Sequence, residues 1–191
     1  GPLGSGQKVQ VSSDGGATWT PVLQIDENTG VTDLEFDPGN PDVIYAAAYQ
    51  RRRHVWGFLG GGPKSGIWKS TDNGQTWRQV KTGLPEGDMG RIGLATTPAH
   101  PTVVYATIEA KEEQRGFYRS RDRGESWEKR NDYISGGTGP HYYQEIEASP
   151  ESGGPGVRFR TRSGAGTSRP PKIGKLNSEK PATSRPKLRI G

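Results

Sequence analysis

Side chains able to work on a sugar are present in number: Asp88, Glu109, Glu112, Glu113, Tyr142, Tyr143, Glu145 and Glu147. Cleaving a glycosidic bond takes two carboxyl groups facing one another across it, one giving a proton and the other acting as base or nucleophile. None of these residues stands in a phrase that forms such a pair by itself. They read as solvated turn and edge groups, and no catalytic residue is assigned. A second constellation is denser. Arg51-Arg52-Arg53-His54-Val55-Trp56-Gly57-Phe58 sets three guanidinium groups beside two aromatic rings, a combination that holds anions or sugars by forked hydrogen bonds and ring stacking. The alternative is that Trp56 and Phe58 fold this segment back onto the domain while the arginines pair with nearby carboxylates. With Arg91, His141 and Tyr142, which precede new strands, these residues form the candidate ligand face: Arg51, Arg52, Arg53, His54, Trp56, Phe58, Arg91, His141 and Tyr142. His54, His100 and His141 lack metal-ligand spacing and there is no cysteine, so neither a metal nor any other cofactor is expected.

The elements that must carry these residues are announced by a repeat. Ser12-Ser13-Asp14-Gly15-Gly16-Ala17-Thr18-Trp19 returns as Ser70-Thr71-Asp72-Asn73-Gly74-Gln75-Thr76-Trp77 and as Ser120-Arg121-Asp122-Arg123-Gly124-Glu125-Ser126-Trp127. The Asp accepts hydrogen bonds from backbone a few residues on, and the Gly takes a positive φ, so each phrase predicts a hairpin turn. The Trp opens the return strand, placed to pack between neighbouring sheets. The residues held in place are Ser12, Asp14, Gly16, Trp19, Ser70, Asp72, Gly74, Trp77, Ser120, Asp122, Gly124 and Trp127. A second repeat links Pro38, Pro41 and Tyr45 to Pro98, Pro101 and Tyr105, each displaced by 60 residues. The unit is strand, Pro-rich turn, strand, loop, strand, Asp turn, strand. Four antiparallel strands per roughly 50 residues is the pattern of a propeller blade. Between Tyr45 and Ser70 lie ten more residues than between Tyr105 and Ser120, and the arginine-rich segment sits in that insertion.

The Ser-x-Asp-x-Gly-x-Thr-Trp phrase resembles the Asp-box, or bacterial neuraminidase repeat. It is found in sialidases, xyloglucanase-type glycoside hydrolases and sortilin-type propellers. Asp33-Leu34-Glu35-Phe36-Asp37-Pro38, Tyr45-Ala46-Ala47 and Gly139-Pro140-His141-Tyr142-Tyr143-Gln144-Glu145-Ile146 resemble the large bacterial sortilin-like repeat proteins in particular. The resemblance implies an all-β fold, a β-propeller fragment over 7–150. Two full four-stranded blades fall near 31–81 and 90–130; residues 7–25 give the last two strands of another blade, and 141–149 the first strand of a fourth.

Outside the repeat, residues 1–6 read as the scar of a removed affinity tag. Residues 151–191 are rich in Gly, Ser, Pro, Lys and Arg and are expected to be disordered or non-native. The chain carries +5, but ten basic and two acidic residues in 151–191 make that tail +8 and leave 1–150 at −3. One aromatic residue, Phe159, and no base-reading motif argue against nucleic acid as a partner. No apolar run is long enough to span a membrane. The resemblance implies secreted or periplasmic residence of the parent protein. It implies a non-catalytic module binding protein, peptide or glycan; the alternative is an inactive fragment of an Asp-box glycoside hydrolase of sialidase or xyloglucanase type. Faces left open around Trp19, Trp77 and Trp127 are expected to drive self-association.

Overall fold

Runs of four to six β-prone residues separated by Gly, Pro and Asp leave no room for a helix, and every regular element among the described residues is a strand. The computed structural model describes residues 8–54, 57–132, 146 and 187–190, with backbone alone for 52–54 and 57–59. The strands are β1 (Val9–Ser12), β2 (Thr20–Leu23), β3 (Thr29–Asp37), β4 (Asn40–His54), β5 (Gly57–Gly60), β6 (Gly66–Ser70), β7 (Arg78–Val80), β8 (Ile92–Thr96), β9 (Val104–Ile108), β10 (Gly116–Ser120), β11 (Glu128–Asn131) and β12 (Lys187–Ile190). They form three antiparallel sheets ordered β12-β1-β2, β3-β4-β6-β7 and β8-β9-β10-β11, with β5 added to the far half of β4. The four-strand unit therefore occurs twice, over Thr29–Val80 and Ile92–Asn131, and the expected strand pair over 7–25 is β1 and β2.

Two apolar layers hold the sheets together. Val43, Tyr45, Ala47 and Ile67 of the second sheet pack with Leu94, Val104, Ala106, Tyr118 and Trp127 of the third. Val9 and Leu23 of the first sheet meet Val31, Ala46, Trp68 and Trp77 of the second. Polar ties run beside the apolar layers. The Leu94 N–H donates to Asp33 Oδ2 at 2.8 Å and the Thr96 hydroxyl to Glu35 Oε2 at 2.9 Å, so β3 and β8 lie alongside each other. Lys69, 4% exposed, reaches Glu125 Oε1 at 2.6 Å and donates to the Arg123 carbonyl at 2.6 Å.

The three repeat turns share one hydrogen-bond pattern. Each Ser hydroxyl donates to Asp Oδ1 at 2.7 to 2.8 Å and accepts the Gly N–H at 2.7 to 2.8 Å, while the Thr or Ser four residues past the Asp donates its own N–H to Oδ1 at 2.8 to 2.9 Å. The reversal takes two successive left-handed residues, Gly15 and Gly16, Asn73 and Gly74, Arg123 and Gly124; only the second is always Gly, since Asn and Arg meet the strain at the first. Trp19 and Trp77 donate their indole N–H to the Gly16 and Gly74 carbonyls at 3.0 and 2.9 Å. Trp127 is buried at 5% exposure between the second and third sheets, and its backbone N–H donates to the Thr82 carbonyl at 3.0 Å.

Two expectations are corrected. The tail is not wholly without structure: Lys187–Ile190 form β12, pairing antiparallel with β1 from Lys187 opposite Ser12 to Ile190 opposite Val9. The reason is alternation: Leu188 and Ile190 turn into the apolar layer with Val9, Leu23 and Trp77, and the open β1 edge supplies the ladder. Of the faces expected to be open around Trp19, Trp77 and Trp127, those at Trp127 and Trp77 are covered. Trp127 is covered by the second sheet, Trp77 packs on the first, and among the described residues the exposed large hydrophobic side chain is Phe36. The expected first strand over 141–149 lies outside the described residues, save Ile146, which is buried.

Candidate functional site

Strand direction sorts the loops onto two ends. The Pro-rich turns after β3 and β8 and the Asp turns after β6 and β10 share one end, because these strands all run toward it. At the opposite end β4 and β9 finish and β6, β8 and β10 begin. There the ten-residue insertion forms a hairpin and not an open loop: β4 runs on to His54 and turns back as β5, pairing Arg51 with Gly60 and His54 with Gly57.

The base of this hairpin is pinned to the connection between the second and third sheets. Gly61 N–H donates to the Gln50 carbonyl at 2.9 Å, and Gly62 N–H to the Met89 carbonyl at 3.0 Å. Gln50 gives its N–H to Ser65 Oγ at 2.8 Å and accepts the Lys64 N–H on its side-chain oxygen at 3.1 Å. These bonds hold Tyr49 and Arg51 against the start of β8 and the end of β9. There Glu109 folds over Gly90: a Cβ at Gly90 would fall 2.4 Å from Glu109 Oε2. Arg91 N–H donates to the same oxygen at 3.1 Å, and the Gly90 N–H to the Glu109 carbonyl at 2.7 Å.

Tyr49 is the buried member of the group. Burial pushes its phenol above the usual range, Glu109 adds to the rise, and the Arg51 and Arg91 guanidinium charges oppose it. Its hydroxyl is buried without a hydrogen-bond partner, which is costly unless something completes it. Two guanidinium groups, a carboxylate and a phenol thus gather at one end, with donors and acceptors in the mixture that polyhydroxylated ligands require.

Arg51 is exposed on β4 and Arg91 half-buried before β8, both at this end and both acting electrostatically on Tyr49. Arg52, Arg53 and His54 lie on β4 and Phe58 on β5 by backbone, their side chains outside the described residues, as are Trp56, His141 and Tyr142 altogether. Of the carboxylates, Glu109 joins the cluster; Glu112 pairs with Arg115 at 3.4 Å, and Asp88 and Glu113 are exposed. Tyr143, Glu145 and Glu147 lie outside the described residues. The sequence reading missed Tyr49, since Ala46-Ala47-Ala48-Tyr49 reads as plain core strand. It also passed over Glu35 as a charged side chain, although burial between β3 and β8 pushes it up to about 7, against the Thr96 hydroxyl and with help from Asp33. Among the described residues no three His, Asp or Glu side chains gather as metal ligands, and no helix is long and apolar enough to cross a membrane.

Residues 7–145 match the family described as sortilin, neurotensin receptor 3, Sortilin-Vps10. The chain belongs to this family. This Sortilin-Vps10 chain is 31% identical over 129 residues to a xyloglucanase of Paenibacillus sp, covering 65% of its own length and 11% of the relative's. It is also 31% identical over 132 residues to xyloglucanase Xgh74A of Acetivibrio thermocellus, covering 63% and 15%. Among solved structures it is similar to the GH74 enzyme of Niastella koreensis, at TM-score 0.46 and 19% identity over 75% of this chain and 24% of that one. A second likeness is to an ancestral GH74 enzyme, at TM-score 0.48 and 22% identity over 71% and 18%. The chain thus spans well under a quarter of the length of the curated relatives it matches.

Proposed function

We propose that this chain is part of the propeller of a xyloglucanase-type glycoside hydrolase and supplies a saccharide-binding end, while the carboxylate pair for hydrolysis is completed elsewhere in the parent protein. The observation that carries this reading is the Tyr49, Arg51, Arg91 and Glu109 cluster, gathered by the β4–β5 hairpin at the end opposite the Asp turns. It is supported by the relation to the xyloglucanases of Paenibacillus and Acetivibrio, and an exported parent protein fits a polysaccharide ligand. The Glu109 carboxylate offers acceptor sites to sugar hydroxyls, and Arg51 and Arg91 offer donors, above the buried Tyr49. A glycosidase needs its two carboxyl groups about 5 to 10 Å apart around the bond, and Glu109 is the carboxylate at this cluster, its Oε2 already bonded to Arg91 N–H.

The test is affinity electrophoresis in gels containing xyloglucan, run beside a reducing-sugar assay. Retardation by xyloglucan, with no sugar released, is expected. Arg51→Ala and Glu109→Gln should each weaken the retardation about tenfold, the loss of one or two charge-assisted hydrogen bonds. Migration unchanged by xyloglucan would sink the saccharide reading. It would leave the wider interaction-module reading, in which a protein or peptide is the ligand.

A further inference from the structure

The second and third sheets meet along β3 and β8, and one hydroxyl at that seam serves two oxygen neighbours. Thr96 Oγ1 lies 2.9 Å from Glu35 Oε2 and 3.0 Å from the Phe36 carbonyl oxygen. A hydroxyl has a single proton to give, though it can also accept one, and a carbonyl only accepts. Thr96 therefore satisfies both neighbours in full in one arrangement: a protonated Glu35 carboxyl donates to Thr96 Oγ1, and the hydroxyl donates to the Phe36 carbonyl. With Glu35 ionised both neighbours are acceptors. The hydroxyl then turns its proton to the charge, at the expense of the carbonyl.

The surroundings favour the protonated arrangement. Glu35 stands opposite Tyr45 and Asp33 opposite Ala47, on the face of β3 that reaches Leu94 and Thr96. Ile92 and Leu94 give β8 an apolar surface there. On β3 itself, Asp33 accepts the N–H groups of Leu34 and Leu94 at 2.9 and 2.8 Å, and its charge opposes a second one at Glu35. On β4, the Tyr45 hydroxyl is turned toward Asp37 Oδ2 at 3.4 Å. On β6, Lys69 lies opposite Tyr45 and is bound to Glu125 at 2.6 Å. From the turn after β10, Arg123 pairs with Asp37 at 3.0 Å. Both cations are thus committed elsewhere. Glu35 is half-buried and the Phe36 ring beside it is exposed, so a proton leaving the carboxyl passes to water.

We infer that Glu35, Thr96 and the Phe36 carbonyl form a proton-operated clasp between the second and third sheets, closed while Glu35 holds its proton and opened when that proton leaves to water. Closed, two hydrogen bonds in series cross the seam. Open, one remains, and two carboxylates two residues apart on β3 face an apolar stretch of β8. Burial holds Glu35 at about 7, which sets the change between mildly acidic and mildly alkaline water. The clasp lies within the two complete sheets and does not rest on the saccharide reading.

Amide hydrogen exchange followed by NMR tests it, each rate being divided by the intrinsic rate at the same pH. The reporters are the Leu94 N–H, bonded across the seam to Asp33 Oδ2, and the Gly124 N–H, bonded within its own turn to Ser120 Oγ. Between about pH 5.5 and about pH 8 the protection of Leu94 is expected to fall about tenfold, the weight of roughly one hydrogen bond, while that of Gly124 holds. No fall at Leu94, or an equal fall at both amides, would overturn the clasp. Glu35→Gln keeps a donor toward Thr96 without a charge and should abolish the step; a step that persists in this variant overturns the inference. Thr96→Ser keeps the relay and should keep the step. Thr96→Val should leave Leu94 as weakly protected in mild acid as the unaltered chain is in mild alkali, with Gly124 protection showing that the sheets remain folded. Full Leu94 protection in that variant would refute the relay, since Glu35 would then act by its charge alone.

Discussion

Glu35 and the turn aspartates pull stability in opposite directions as pH changes. Glu35 is held at about 7 in the fold, against an ordinary 4.5, chiefly by desolvation. A carboxyl raised in this way stabilises the fold while protonated, so its contribution is complete below 4.5 and is lost as pH rises through 7. Asp72 and Asp122 are lowered to about 2, and Asp14 is lowered further. Hydrogen bonds from Thr76 hold Asp72 down. Desolvation of Asp122 is outweighed by the bonds from Ser126 and Ser120. Their contribution is present above about 4 and fades as pH falls toward 2. Urea unfolding across pH should therefore show greatest stability near pH 5, with a decline of up to about 3 kcal/mol toward pH 8. Glu35→Gln should flatten the alkaline limb and leave the acid limb as it was. An alkaline limb of the same slope in that variant would assign it to another group. Asp122→Ala should cost about 1 to 2 kcal/mol, the size of a lost capping interaction, because Ser120 Oγ, Ser126 and the Glu125 N–H all donate to that carboxylate.

Between neighbouring sheets, the Lys69–Glu125 contact is more consequential than its exposed half suggests. Lys69 is nearly enclosed, and Glu125, which also accepts from Arg78, is about half exposed. Glu125→Ala leaves an ammonium group buried beside the Tyr45 ring with only the Arg123 carbonyl as acceptor, and should cost about 3 kcal/mol in chemical unfolding. Adding Lys69→Met should restore a good part of that loss. A double variant as unstable as the sum of its singles would show that the two side chains act independently. This contact, and the sheets it joins, were only partly legible in the sequence. The Ser-Asp-Gly-Trp phrases place their turns because the hydrogen bonds they encode close within four residues. The Pro and Tyr repeat likewise marks the first hairpin of each complete sheet. Tyr49, Glu35 and Lys69 escaped notice because their character comes from a neighbouring sheet, through Glu109, Thr96 and Glu125, each more than 50 residues away. β5 was hidden by the glycines of Gly57-Phe58-Leu59-Gly60, which carry weak strand propensity. β12 was hidden because four alternating residues in a Gly-rich and Lys-rich stretch become a strand only when an open edge is offered.

At the scale of the whole molecule, the charge division and the sheet completion act together. Residues 1–150 carry a mild negative charge and 151–191 a strong positive one, a complementarity that favours pairing of the oppositely charged parts. Removing the tail has two effects. It uncovers Val9, Leu23, Leu34 and Trp77, whose apolar layer includes both aliphatic tail residues, and it frees the backbone donors and acceptors along the β1 edge. A bare edge beside an apolar layer invites pairing with another copy, whereas the filled edge is blunted by the outward Lys187 and Arg189. Light scattering coupled to size exclusion should therefore show that a chain ending at Pro150 associates more strongly than the full chain. Leu188→Asp with Ile190→Asp in the full chain should behave like the shortened one. The same mass distribution for all three would mean that β12 does not govern association, and any oligomer would then have to form through other faces of the sheets.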